Sequence, residues 1–340
     1  MNSFDPLFTD FARLNVLIIG DVMVDAYVWG RVERISPEAP VPVVRVGRRE
    51  SRLGGAANVA LNVQALQATP LLCAVVGDDL HGRAFYQLLE EQGIRTDYMI
   101  TSTERATTVK ERVIAGSQQV VRVDAEHDHL LTDTEQAALL ERAEQALELA
   151  DVVVFQDYDK GVLSEPVIQQ ITQQAREKGI PVAVDPKKRN FLHYRHATLF
   201  KPNLKELRLG LQQEPLALHH EDYAPLHDER EAIREASRTL RTRLHHQTTL
   251  ITLSENGVFI DSDTDDHFIP AHVRQIADVS GAGDTVISIA ALCLGMSTSS
   301  PTLAGLANLG GGIVCEYTGV VPIDRTRLLN EANASLTTLL

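Results

Sequence analysis

Cysteine is scarce in this chain of 340 residues: Cys73, Cys293 and Cys315 are scattered, odd in number and set in apolar sequence. No CxxC pair exists, which argues against a disulfide framework or a zinc site and suits small core residues in a reducing compartment. Long apolar runs are missing too. Nowhere do eighteen apolar residues follow one another, so no transmembrane helix is expected. The opening MNSFDPLFTDFARLN carries acids and no basic segment ahead of an apolar run, so no signal peptide is expected either, and the cytoplasm is the expected location. Positive charge is in deficit: 32 Lys and Arg stand against 46 Asp and Glu, a net charge of −14. A field of that sign repels polyanions, which argues against nucleic acid and anionic membrane surfaces as partners. A bound phosphate would then need a local basic cluster or backbone N–H groups. Several catalytic motifs are also absent. There is no GxxxxGK[ST], which excludes a P-loop enzyme, and no strand–GxGxxG–helix unit, which weakens a dinucleotide-dependent oxidoreductase. No GxSxG elbow and no HExxH occur.

What is present is ordinary in bulk. At 44% hydrophobic and 23% charged residues, the chain can bury a sizeable core. Its length fits two domains or one large α/β domain with an appendage. Short β-branched runs at Val16–Ile19, Leu71–Val76, Val152–Phe155, Pro181–Val184, Leu199–Lys201 and Thr249–Leu253 read as buried strands. Helical patterns lie between them near Ala56–Leu66, Arg83–Gln92, Asp133–Leu149, Pro166–Lys178 and Arg230–Leu244. Strands apolar on both faces and alternating with helices predict a mostly parallel sheet covered on both sides, with ligands beyond its carboxyl edge. Val41–Val46 and Thr107–Val123 break the rhythm: they alternate polar and apolar and have no helix beside them. They predict a small β-sheet lid, or else an antiparallel extension of the main sheet. Gly210 to about Asp228 is a polar, His-rich connection with no carboxylate or cysteine at ligand spacing, so a solvated insertion is expected there.

The sharpest segment is Asp278-Val279-Ser280-Gly281-Ala282-Gly283-Asp284, followed by the apolar run Thr285–Leu294. Small residues at Gly281, Ala282 and Gly283 let backbone amides converge at a helix start, an anion site reinforced by the helix dipole. Asp284, just inside that turn, is placed to accept a proton from a hydroxyl while the amides stabilise a transferring phosphoryl group. Gly54-Gly55-Ala56-Ala57-Asn58 opens an earlier helix and permits close backbone approach to a ligand. Asp21 and Asp25 follow the first strand, where acids hold sugar hydroxyls or simply shape turns and caps. Asn203-Leu204-Lys205-Glu206 begins a helix. Its ends form a capping box, or orient water around magnesium, or both. Thr252–Gly257 joins two strands as a plain turn or as a nucleotide-contacting loop.

These motifs, in this order, resemble the ribokinase-like (PfkB) family of sugar kinases, and the resemblance runs from about residue 14 to residue 330. Gly54–Asn58 is similar to the family's N-terminal motif, Val76-Gly77-Asp78-Asp79 with Gly82 to another recurrent segment, and Asp278–Asp284 to its DTxGAGD motif. Within the family, Arg34–Val43, Gln118–Asp124 and Asp157–Leu163 resemble members that phosphorylate the C1 hydroxyl of a heptose 7-phosphate for nucleotide-activated heptose and lipopolysaccharide core synthesis. Many such relatives carry a fused nucleotidyltransferase domain. No HxGH motif occurs here, so that second activity is expected to be absent.

The resemblance implies a single ribokinase-like α/β domain over residues 1–340, with lid strands at about 26–50 and 105–124 that often form a dimer clasp. It implies ATP and Mg2+, a sugar phosphate acceptor, and a homodimer. Asp284 would be the base, and Gly281, Ala282 and Gly283 the anion hole. Asn203 to Glu206, Ser254, Gly257 and Asn308 would line the nucleotide site, with Asn203 and Glu206 near the magnesium through water. Asp21, Asp25, Gly54, Gly55 and Asn58 would meet the sugar, with Asp157 and Asp185 also on the substrate side. For the substrate's own phosphate the candidates are Arg112, Arg122, Lys160 and Lys187. A kinase of another sugar, or a nucleotide- or sugar-binding regulator on the same scaffold, remains the alternative.

Overall fold

The computed structural model describes residues 3–116, 118–211 and 226–337. In chain order the elements are α1 (Asp5–Asp10), β1 (Asn15–Gly20), β2 (Val22–Ile35), β3 (Pro42–Gly55), α2 (Ala56–Ala65), β4 (Thr69–Cys73), β5 (Val75–Gly77), α3 (Leu80–Glu91), β6 (Ile100–Ser102), β7 (Val109–Ala115), β8 (Gln118–Ala125) and α4 (Asp133–Leu147). The second half adds β9 (Val152–Gln156), α5 (Glu165–Glu177), β10 (Val182–Asp185), β11 (Leu199–Phe200), α6 (Leu204–Gly210), α7 (Leu226–Leu244), β12 (Thr248–Thr252), β13 (Val258–Asp261), β14 (Asp266–Ile269), α8 (Ala282–Gly295), α9 (Ser300–Val314) and α10 (Arg325–Ser335). Most of the His-rich Gly210–Asp228 connection falls outside the described residues.

Eight strands form the main sheet in the order β14-β13-β12-β11-β10-β9-β1-β4. The pairings from β4 through β12 are parallel; β13 and β14 close one edge antiparallel. Successive strand residues point to opposite faces. Val16, Ile18, Val152 and Val154 accordingly join one buried cluster, with α2, α8 and α9. Leu17, Ile19, Val153 and Phe155 join another, with α4, α5 and α7. That is why these strands carry no polar alternation. Leu71–Val76, expected as one strand, is two: β4 stays in the main sheet, while β5 leaves it to pair with β6.

The two segments without helices form a separate four-stranded sheet, β3-β2-β7-β8. This lid stands apart rather than extending the main sheet, and its strands β2 and β3 reach back into the body of the protein. Register puts Asp25, Tyr27 and Trp29 of β2 on one face, with Arg52, Glu50 and Arg48 of β3 and Lys110 and Arg112 of β7. Arg112 pairs across with Arg122 of β8. The opposite face carries Val32, Val44, Val46, Val113, Val121 and Val123. Four of these are exposed: Val32 41%, Val46 47%, Val121 48% and Val123 52%.

Candidate active site

The site sits at the carboxyl edge of the parallel strands, where α8 begins. Gly281 caps that helix with φ of 81°, a left-handed conformation that L side chains rarely adopt. A Cβ there would also stand 3.0 Å from Asn58 Nδ2. Asp284 follows as the third helical residue, where first-turn amides have no carbonyl partner within the helix. Its carboxylate is buried and takes three side-chain donors. Asn58 Nδ2 donates to Oδ2 at 2.8 Å, while Tyr158 Oη and Gln156 Nε2 donate to Oδ1 at 2.7 and 3.1 Å. Burial raises the Asp284 pKa from 3.8 to about 6, against the pull of the Asn58 and Tyr158 hydrogen bonds. Gln156 Nε2 also reaches Asp185 Oδ2 at 3.2 Å, and Lys201 Nζ pairs with that same oxygen at 3.0 Å.

A cavity of about 890 Å³ opens on one side of Asp284. Gly281, Ala282, Gly283 and Asp284 line its inner end, with Asp185, Lys187 and Lys201. All of the residues expected at a nucleotide lie in its walls: Asn203, Leu204, Lys205, Glu206, Ser254, Gly257 and Asn308. Asn203 and Glu206 do form a capping box, with Glu206 N donating to Asn203 Oδ1 and Asn203 N to Glu206 Oε2, both at 2.8 Å. Glu206 also pairs with Lys187. Burial alone would depress the Lys187 pKa, but the Asp185 and Glu206 carboxylates outweigh it and raise it. Asn308 spends its amide donor on the Pro270 carbonyl at 2.8 Å. Asp185 and Lys187, expected on the sugar side, therefore stand in the wall of this cavity, because the loop after β10 turns toward α6.

The other residues expected at the sugar lie on the lid strands, in α2 or beside the ends of β1 and β9, and the acids and their neighbours divide into two groups. Asp25 ion-pairs with Arg112, and Gly54 lies so close that a Cβ would meet Asp25 Oδ2 at 2.3 Å. Asn58 is fully buried and spends its donor on Asp284. Asp21 and Asp157 are inward-facing braces. Asp21 accepts from the backbone N–H groups of Tyr158, Lys160 and Val162 at 2.8–3.1 Å. Asp157 accepts from Asn190 Nδ2 at 3.0 Å and Tyr194 Oη at 2.6 Å. Both are buried, and the hydrogen bonds they make run to the loop after β9 and to Asn190 and Tyr194. Gly55 (φ 62°) has no room for a side chain against the Asp21 carbonyl, 2.4 Å from where a Cβ would be. Among the basic candidates, Lys160 pairs with Glu126 at 2.8 Å and Arg122 with Asp124 at 2.9 Å.

Four residues of this centre were not singled out by sequence reasoning: Gln156, Tyr158, Lys201 and Lys110. The first three sit at or just past the carboxyl ends of β9 and β11, the edge where ligands bind in such sheets. Lys110 shares a lid face with Arg112, two residues on. Its ammonium lies 5.8 Å from the Tyr158 ring centre, and that of Lys187 lies 5.5 Å from it.

Residues 13–326 match the pfkB family carbohydrate kinases. The D-beta-D-heptose 7-phosphate kinase of Bordetella bronchiseptica is 41% identical over 323 residues, covering 94% of this chain and 97% of that protein. The bifunctional protein HldE of Gluconacetobacter diazotrophicus is 39% identical over 328 residues, 96% of this chain. The chain spans 65% of that relative's length, less than two thirds. Among solved structures, Escherichia coli phosphofructokinase-2 superposes with a TM-score of 0.76 at 17% identity, covering 95% of this chain and 99% of that one. Arabidopsis thaliana ribokinase gives 0.70 at 16%, covering 93% and 98%. At such identities the likeness is one of fold, and it is the ribokinase-like fold expected. A buried carboxylate and a glycine turn at the inner end of a large cavity, a match over residues 13–326 and close relatives along the same span lead to one conclusion: this chain belongs to the pfkB family of carbohydrate kinases.

Proposed function

We propose that the chain transfers the γ-phosphoryl group of ATP to the C1 hydroxyl of D-glycero-D-manno-heptose 7-phosphate, giving the 1,7-bisphosphate. The observation that carries the transfer is Asp284, buried between the cavity and the lid in the first turn of α8. In this reading Asp284 accepts the C1 hydroxyl proton as the oxygen attacks the γ-phosphorus and the bond to the β–γ bridging oxygen breaks, releasing ADP. A pKa of about 6 leaves the carboxylate ionised at neutral pH yet near enough to it for efficient proton transfer. Amides at Gly281, Ala282 and Gly283 stabilise charge on the transferring group. The cavity residues from Asn203 to Glu206, with Ser254, Gly257 and Asn308, hold the nucleotide.

The residues also fit a magnesium ion. Asp185 Oδ1 is buried with no hydrogen-bond donor among the described residues, an acceptor left over beside Lys201 and the Asn203–Glu206 pair. Asp185, Asn203 and Glu206 would hold Mg2+, directly or through water. Bound there with ATP, the ion neutralises phosphate charge.

The heptose phosphate is supported by the Bordetella relative and by the cations under the lid. Burial is the main cause that lowers the Lys110 pKa; Glu126 and Asp124 raise it while Lys160 and Arg122 lower it, so three cations stand near one another here, where a substrate phosphate would be held. The exposed valines of the lid's other face support a homodimer through the lid. ADP release with heptose 7-phosphate, free heptose, fructose 6-phosphate and nucleosides tests the reading. Charge-assisted contacts of roughly 1.5–3 kcal/mol each predict at least a tenfold kcat/KM advantage for heptose 7-phosphate over free heptose. Equal kcat/KM, or preference for another acceptor, overturns it.

A further inference from the structure

We infer that Tyr158 is a positioning residue of the transfer: its phenol pins Oδ1 of Asp284, so that Oδ2 is the oxygen that takes the proton. The inference rests on the proposal that Asp284 is the base. A carboxylate offers about four acceptor sites, two on each oxygen. Oδ1 receives both Tyr158 Oη and Gln156 Nε2, so its sites are filled; among the described residues Oδ2 receives Asn58 Nδ2 alone and keeps one open. Gln156 Nε2 stands between two carboxylates, Asp185 and Asp284, and can only donate there.

The tyrosine is held from several sides. Its backbone N–H is fixed by Asp21 at 2.8 Å, and its ring lies near Lys187 from the β10 loop and Lys110 from the lid. The buried brace Asp21 thereby serves the base indirectly, by fixing the loop that carries Tyr158. Burial and the neighbouring Asp284 and Asp185 carboxylates keep the phenol protonated, so toward Asp284 it acts as a donor and never as the base. The other charged groups facing the pair are Lys201, Glu206 through Lys187, and Asp25 with Arg112. Helices α2 and α9, packed on α8, carry no titratable side chain.

The test is the pH profile of kcat in Tyr158→Phe and in protein carrying 3-fluorotyrosine at position 158. Tyr158→Phe keeps the ring and removes one donor to the charged carboxylate. A loss of at least about tenfold in kcat is expected, with the KM for ATP within twofold and the acid limb moved to higher pH. The fluorinated phenol is a stronger donor and moves the limb the other way. Because it differs by one fluorine, it carries the test even where the Phe variant folds poorly. Wild-type kcat and limb in both proteins, or shifts of the same sign, overturn the inference. Asp284→Asn separates the two readings: an active Asp284→Asn protein refutes the base itself, whereas an inactive one beside a wild-type-like Tyr158→Phe refutes only the positioning role.

Discussion

Asp284→Asn should make the protein nearly inactive and, at pH 8, more stable. The ionised carboxylate is buried, and burial lifts its pKa from 3.8 to about 6. A group whose pKa is raised on folding contributes its stability below the unfolded value, near 4, and loses it as the pH rises through about 6. At pH 8 the wild-type protein therefore carries a destabilisation of about 3 kcal/mol at this one side chain, and about half as much at pH 5. A neutral amide of the same shape escapes it. The exchange puts an NH2 group opposite Asn58 Nδ2, so the Asn58 amide must turn over. Among the described residues its Oδ1 has only a long 3.4 Å contact from Asn62 to give up, which leaves a net gain of about 1–3 kcal/mol. Thermal unfolding at pH 5 and pH 8, paired with turnover, is the assay. Turnover should fall about 10²–10⁴-fold, and Tm should rise by a few degrees at pH 8 with a smaller gain at pH 5. A Tm equal to or below wild type at pH 8, or an advantage that does not grow with pH, refutes the reasoning.

Gly281→Val forces a β-branched residue into a left-handed conformation and against the Asn58 amide, so kcat should drop more than about tenfold while the fold survives in circular dichroism. Lys160→Ala or Arg122→Ala should cut the preference for heptose 7-phosphate over free heptose by about tenfold in kcat/KM, read in the same ADP-release assay. Val46→Asp or Val121→Asp, each placing a charge on the exposed lid face, should convert a dimer to a monomer in light scattering at micromolar concentration. An unchanged mass would count against the lid as the interface.

The main sheet was legible because its strands are buried on both faces and its helices alternate with them. What escaped has physical causes. Helix α9 reads SPTLAGLANLGGGIV, with no polar stripe and several glycines, which in sequence look like breakers. In the structure they are contact points: a Cβ at Gly310 would sit 2.1 Å from Ile289 Cδ1, and one at Gly311 2.7 Å from Val286 Cγ2. The full length of β2 was obscured by a change of environment along one strand, buried at Val22–Val24 and exposed from Arg31 to Ile35. At the site, the glycine turn and Asp284 were legible because they are contiguous. Tyr158, Gln156 and Lys201 were not, since their proximity to Asp284 comes from sheet order. An acid after a strand reads the same whether it faces a ligand or the loop beneath it, so the hydrogen bonds of Asp21 and Asp157 to their neighbouring loops could not be read from sequence.

The ribbon formed by β2 and β3 also joins the far end of the lid to the candidate site in one span. Each strand has 14 residues, about 45 Å at the usual rise, and their pairing runs unbroken by any loop from Ile35–Pro42 at the tip to Val22–Gly55 at the root. At the root it carries Asp25 and Gly54 and hands the chain directly to α2, whose Asn58 grips Asp284. Its irregularities, at Trp29/Gly30 and Val32/Arg34, are the places where twist can concentrate. The tip of the lid and the Asn58 that grips Asp284 thus lie along one continuous pair of strands, with Gly55 the last paired residue before the helix that carries Asn58.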